Sequence, residues 1–234
     1  YEEPRYRPNV LTQQMLVGKK LGRKTSEGFY RYENNQQQIP ERPTRQINHQ
    51  KFNTLPAVWL QSDDAKDHDQ LIDYFKGKGI TIDQNTHPQP DSLIILCCYG
   101  EDASQSAIRL GVPPKQVVAI DMICGLNKHR TLMPTLVTDE HFIDAAYHIF
   151  SDTDCTISVI SERVGFIAQR VLAMIVNLGC DMAQQAIATV EDINAAVRLG
   201  LAYPFGPIEW GDVVGANKIL LTLERMAQLT HDPR

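Results

Sequence analysis

The sequence is poor in clustered positive charge, in long apolar runs and in paired cysteines, and each shortage removes a class of function. No segment gathers enough Lys and Arg to neutralise several phosphates, and the net charge is −5. Nucleic acid is therefore not an expected partner. The longest unbroken apolar run in the most hydrophobic helical stretch is Val171 to Val176, far short of the ~20 residues a bilayer span needs, so no membrane partner is expected. The five cysteines include no CxxC pair. Cys97 and Cys98 are adjacent in an apolar run, which reads as buried, reduced thiols in a cytoplasmic protein. His141 and His148 stand seven apart with no third ligand in view, so no metal is expected. What is present is ordinary for a folded protein: 234 residues, 43% hydrophobic and 22% charged, enough for one large or two modest domains.

Four regions follow from the pattern along the chain. Residues 1–34 hold a short helical stretch around Val10 to Val17, a turn at Gly18 and Gly22, and an aromatic arm from Gly28 to Tyr32. They are too few to bury a core alone. Residues 35–54 are polar and rich in Gln, Asn and Pro, and read as a linker. Residues 55–160 alternate short apolar runs with amphipathic segments. Strands are expected at Ala57 to Leu60, Ile80 to Ile82, Leu93 to Cys98, Val117 to Ile123 and Thr156 to Ile160. Helices are expected at Ala65 to Lys78, Asp102 to Leu110 and Thr138 to Phe150, the last capped by Thr138. That alternation implies a mostly parallel sheet with both faces covered, a Rossmann-like outline.

Residues 161–234 read as helical. Ile167, Val171, Ile175, Leu178 and Met182 recur at helical spacing, a stripe expected to be core with its outer edge as a dimer seam. Thr189 with Glu191 and Asp192 opens the next helix, which Gly200 is expected to stop. Tyr203 to Pro207 makes a rigid turn, and a last helix spans Ala216 to Leu229. The two ends also echo one another. Glu3-Pro4-Arg5 and Asp232-Pro233-Arg234 read as one junction met twice. On that reading residues 1–34 are the tail of a preceding helical domain copy, and residues 161–234 the body of another. The tail is then expected to dock on that body, in cis or by exchange between chains.

Three motifs carry a resemblance: Gly165-Phe166-Ile167-Ala168-Gln169-Arg170-Val171, Leu199-Gly200-Leu201-Ala202-Tyr203-Pro204-Phe205-Gly206-Pro207, and Leu21-Gly22-Arg23-Lys24-Thr25-Ser26-Glu27-Gly28-Phe29-Tyr30. They resemble the C-terminal domain of 3-hydroxyacyl-CoA dehydrogenases, and the arrangement looks most like the long, internally duplicated members, including those of phenylacetate catabolism that oxidise 3-hydroxyadipyl-CoA. The resemblance implies α/β plus all-α architecture, with a degenerate Rossmann-like domain followed by a helical domain like the C-terminal domain of 6-phosphogluconate dehydrogenase. It also implies a homodimer, an acyl-CoA substrate, and NAD bound by an N-terminal catalytic half that these residues do not include.

The residues themselves argue against a second NAD site. A dinucleotide turn needs glycines so that backbone can approach the pyrophosphate. Here the first strand of the middle region is followed by Gln61-Ser62-Asp63-Asp64, wrong in shape and in charge, so no cofactor is expected in this part. The family's catalytic Glu falls on Thr131 and its His near Ala119. His129 is the nearby imidazole, between Lys128 and Arg130 with no carboxylate to orient it. Gln169 fills the position of the helical domain's Asn and keeps an amide that can reach a thioester carbonyl. Its bland reading is helix packing. Arg170 beside it reads either as an acyl-CoA contact or as surface charge. Gln169 and His129 are thus the weak catalytic candidates, and Gln169 and Arg170 the weak substrate-binding ones. Glu209 and Asp212 read as helix caps, with a cleft lining as the alternative, and Arg23 and Lys24 read either as a CoA-phosphate contact or as part of a structural tail anchored by Phe29 and Tyr30. The expected role is a structural and dimerising module, inactive alone; the alternative is a non-catalytic, acyl-CoA-binding regulatory module.

Overall fold

A computed structural model describes residues 8–40 and 54–231. The repeated Pro-Arg junctions and most of the expected linker lie outside those residues. The described residues divide into two compact units, residues 8–40 and residues 54–231.

In the first unit, helix α1 (Val10–Val17) is capped by Asn9, whose Oδ1 accepts the Leu11 N–H at 2.9 Å. A 3₁₀ turn (Arg23–Thr25) leads to strands β1 (Arg31–Glu33) and β2 (Gln36–Gln38), which pair antiparallel. Gln36 to Gln38, expected within a linker, are therefore paired residues. Asn34 and Asn35 between them both take positive φ, 49° and 65°, the geometry of a two-residue hairpin that Asn tolerates well. No residue from 8 to 40 is buried.

The second unit opens with β3 (Val58–Ser62), α2 (Ala65–Gly77), β4 (Leu93–Cys97), α3 (Ala103–Leu110) and β5 (Val117–Ile120). It continues with β6 (His129–Pro134), α4 (Glu140–Phe150) and β7 (Thr156–Val159). The five strands lie side by side in the order β3-β4-β5-β6-β7. All neighbours are parallel except β5 and β6, where Ala119 faces Met133 in antiparallel register. Residues 121–128 join those two, and a parallel crossover takes about a dozen residues or more, so this connection can only reverse the chain. β6 was not foreseen. Ile80 to Ile82 is not a strand but touches β3 through one bridge, Val58 to Ile82. The chain leaves the sheet there because the Asp83 carboxylate gathers the N–H groups of Asn85 and Gln89 and the Ser92 hydroxyl.

Period-two burial covers both faces of the sheet. Val58, Leu60, Leu93, Ile95 and Cys97 pack with α2 and α4; Trp59, Ile94, Leu96 and Cys98 pack with α3 and Phe166. Helix α4 starts at Glu140 with Asp139 at the cap position. Thr138 does not cap it, because its hydroxyl is spent on the Val117 carbonyl at 2.7 Å.

Helices α5 (Ile167–Gln184), α6 (Val190–Leu201), α7 (Pro207–Val214) and α8 (Ala216–Thr230) complete the unit. Of the stripe expected to be core, Ile167 (62% exposed), Val171 (51%) and Leu178 (41%) are turned outward, while Ile175 and Met182 are half-buried. Gln169, Leu172, Ala173, Val176 and Gly179 face inward instead. The choice follows from size. Gly179 lies so close to Pro207 that an added Cβ would stand 2.5 Å from its ring, and only this small-residue face admits α7 at that distance. Helix α6 runs through Gly200 and ends where Ala202 turns left-handed (φ 54°). Thr189 caps its start, and Glu209 closes back on the Gly206 N–H at 2.7 Å. Among the described residues no helix is long and apolar enough to cross a membrane.

Candidate functional site

Open α/β sheets bind ligands in the crevice outside the carboxyl ends of their strands. Here that crevice is filled by carboxylates and by helix α8. The turn after β3 carries Asp63 and Asp64. Asp64 caps α2 by accepting the Asp67 N–H at 3.0 Å, and Asp63 accepts the Tyr99 N–H at 3.2 Å from the end of β4. Asp67, on the first turn of α2, accepts the Tyr99 hydroxyl, and Glu101 accepts the Ser106 hydroxyl at 2.8 Å. Three cations answer them. Lys218 bridges Asp67 (2.7 Å) and Asp64 (3.3 Å), Arg225 bridges Asp63 (2.5 Å) and Glu101 (3.4 Å), and Arg109 bridges Asp63 (3.1 Å) and Glu101 (2.8 Å). Burial works against ionised Asp64, yet the Asp67 N–H and Lys218 hold its carboxyl below the usual range.

Gln169 sits at the centre of this arrangement with no exposed surface. Its Oε1 accepts the N–H of Gly100 (3.0 Å) and of Phe166 (3.4 Å); its Nε2 donates to the Cys98 carbonyl (2.9 Å) and to Asp121 Oδ1 (3.1 Å). Two acceptor positions and two donors are all engaged, so nothing of the amide is left for a ligand. Burial pushes the Asp121 carboxyl up to about 6, against the opposing pull of the Ile123 N–H and the Gln169 amide.

The other candidates lie apart. His129 is exposed at the start of β6, its Nδ1 2.6 Å from the Thr156 hydroxyl. Its neighbour Arg130 points inward to the Tyr74 hydroxyl and Asp152. Arg170 is exposed and donates to the Val164 carbonyl at 2.8 Å. Neither shares a hydrogen-bond partner with Gln169. Thr131 lies in register with Ser158, and Ala119 is buried inside the sheet. Cys97 and Cys98 are buried, and burial raises the Cys98 thiol to about 12; Cys124 and Cys180 are exposed.

Two cavities flank the crevice. One of about 400 Å³ is lined by Asp64, Lys66, Asp67, Met122, Asn217 and Lys218. The other, about 320 Å³, is lined by Trp59, His68, Ile72, Ile82, Asp83 and Thr86. Asp83 was missed from sequence. A ribose-binding acid stands about 20 residues after the first turn of a dinucleotide fold, and that spacing was the available signal. Its oxygens are already taken by the Asn85 N–H and side chain, the Gln89 N–H and Ser92. Those bonds outweigh burial and hold its pKa at about 2.

Residues 165–234 match the model of the 3-hydroxyacyl-CoA dehydrogenase C-terminal domain. The chain is 27% identical over 226 residues to 3-hydroxyadipyl-CoA dehydrogenase of Escherichia coli K12, covering 97% of this chain and 41% of that protein. It is 34% identical over 104 residues to a Mycobacterium tuberculosis 3-hydroxybutyryl-CoA dehydrogenase, covering 44% of this chain and 36% of that one. The chain thus spans about two fifths of the length of these relatives. Among solved structures, 3-hydroxybutyryl-CoA dehydrogenase from E. coli K12 superposes with a TM-score of 0.68 at 25% identity, over 99% of this chain and 42% of that one. M. tuberculosis FadB2 shares the fold, with a TM-score of 0.57 at 21% identity over 75% of this chain and 60% of that one.

Proposed function

We propose, from the match of residues 165–234 to the C-terminal domain of 3-hydroxyacyl-CoA dehydrogenases, that the chain is the C-terminal half of a longer, internally duplicated enzyme of that kind. The parent enzyme is cytoplasmic and moves a hydride from C3 of a 3-hydroxyacyl-CoA to NAD, giving the 3-oxoacyl-CoA, with the dinucleotide held by the N-terminal half. A dicarboxylic substrate of the 3-hydroxyadipyl-CoA type, within phenylacetate catabolism, fits the relative that covers nearly the whole chain. The present half braces that catalytic half and forms a homodimer through the outward apolar stripe of α5. It holds no NAD and turns over no substrate alone.

One observation carries this reading: the place for a dinucleotide is taken by Asp63, Asp64 and the cations of α8. A pyrophosphate brought there would meet two carboxylates instead of free N–H groups. Fluorescence titration of NADH into the purified chain, with and without acetoacetyl-CoA, tests it. No binding is expected in either case. Saturable NADH binding would overturn the nucleotide-free reading, and acetoacetyl-CoA binding without turnover would replace the brace by an acyl-CoA-binding regulatory module.

A further inference from the structure

We infer that α8 is a built-in occupant of the crevice beyond β3 and β4, a salt-bridged contact that fastens sheet and helices into one body. Lys218 and Arg225 are seven residues apart, two turns along the same face of α8. They reach carboxylates contributed from three separate places: the turn after β3 (Asp63, Asp64), the first turn of α2 (Asp67) and the end of β4 (Glu101). Arg225 also donates to the Tyr99 carbonyl at 3.0 Å. Asp67 and Glu101 are buried, so these are not solvent-screened surface pairs.

Between the two charged contacts the backbones touch directly. Gly100, at φ +70°, faces Thr222 so closely that a single added carbon would stand 2.6 Å from the Thr222 oxygen. No ligand can pass between the β4 loop and α8 without moving the helix. Gln169 of α5 grips the same loop through the Gly100 N–H and the Cys98 carbonyl. Two helices are therefore tied to one strand end. Losing Lys218 leaves buried Asp67 without its cation, and losing Arg225 leaves Asp63 and Glu101 to share Arg109 alone. Removing one partner of a buried pair is costlier than never having had the pair.

This goes beyond the assignment to a dehydrogenase, because it concerns whether the crevice ever opens. Hydrogen exchange read by mass spectrometry on the whole chain, with and without excess NADH, tests it. In the wild type, α8 amides should exchange only as slowly as those of β4 and should not respond to NADH. In Lys218→Met/Arg225→Met, α8 protection should fall by about a hundredfold or more while β4 keeps its own. Independent early exchange of α8 in the wild type would overturn the inference even if the double variant fails to fold, and so would unchanged α8 protection in a folded double variant. NADH binding that leaves α8 protected would also overturn it, since ligand and helix would then coexist. NADH binding that speeds α8 exchange would support α8 as occupant while sinking the nucleotide-free reading above. Fast α8 exchange with no NADH binding would do the reverse.

Discussion

Gln169 joins groups that are far apart in the chain, and its removal leaves each of them short. Gln169→Ala deletes the partner of the Gly100 N–H, the Cys98 carbonyl and Asp121 in a site with no water access. Each orphaned buried group costs about 1–3 kcal/mol, so a loss of roughly 3 kcal/mol or more in chemical denaturation is expected. Gln169→Asn, shorter by one methylene, should recover little of it. Asp121 gives a pH prediction of opposite sense to an ordinary acid pair. Its folded pKa of about 6 lies above its ordinary 3.8. The contribution is therefore fully present below about pH 4 and is lost as pH rises through 6. Asp121→Asn keeps an acceptor for Ile123 and Gln169 without the charge. It should raise stability at pH 7 to 8 by up to about 3 kcal/mol and flatten the fall between pH 4 and 6. Unchanged melting temperatures across that range would rule this out. None of this was legible in the sequence. The Gln169 position could be matched to a motif, but its partners Cys98, Gly100 and Asp121 lie in other elements, and only the fold brings them together.

At the scale of elements, capping and periodicity did better where one physical rule dominated. Helices α2, α3 and α6 begin at Asp64, Asp102 and Thr189, each accepting a first-turn N–H, as their residue types suggest. Helix α5 has a wide apolar face opposite Arg170, Asn177, Asp181 and Gln184, so periodicity alone did not say which part of it turns inward, and the decision fell to the small residues Ala173 and Gly179. Strand β6 was hidden because Arg130 interrupts its apolar pattern; that guanidinium is buried against Tyr74 and the Phe150 carbonyl. The contact of α8 with the β4 loop is equally silent in sequence, yet it makes a sharp prediction. Gly100→Ala must place a Cβ within 2.7 Å of Thr222 backbone, at a φ that disfavours any side chain. It should cost more than about 2 kcal/mol. A substitution at Gly77, where nothing lies within 4 Å, is the control, and near-normal stability of Gly100→Ala would show that the two backbones can part.

For the molecule as a whole, the outward face of α5 is the feature that asks for a partner. Apolar residues that recur along one helix and stay exposed mark an interaction surface more often than scattered ones do. If that face pairs two copies, Val171→Glu/Leu178→Glu should halve the mass measured by light scattering. Its melting temperature, read at low protein concentration, should stay close to that of the parent chain. A wild-type chain that is already monomeric would remove the dimer from the proposal. The fold class was readable from the alternation of apolar runs with amphipathic segments. Which faces stayed open was not, because exposure is decided by neighbours that the sequence does not order.

The salt-bridged turn has a consequence for how such a chain can change. Asp63 does in the crevice what a ligand's anion would do elsewhere, since it gives Arg109 and Arg225 something to neutralise. Replacing Asp63 by glycine would leave two guanidinium groups sharing Glu101 alone, and replacing Arg225 first would leave Asp63 and Glu101 sharing Arg109 alone. Each single step removes one partner of an ion pair and leaves the other, whereas the paired change removes both. A double-mutant cycle on Asp63 and Arg225 should therefore show a coupling of about 0.5–3 kcal/mol. Strong coupling of that kind makes the turn change only by paired steps: each substitution alone is epistatically opposed by the partner it leaves behind.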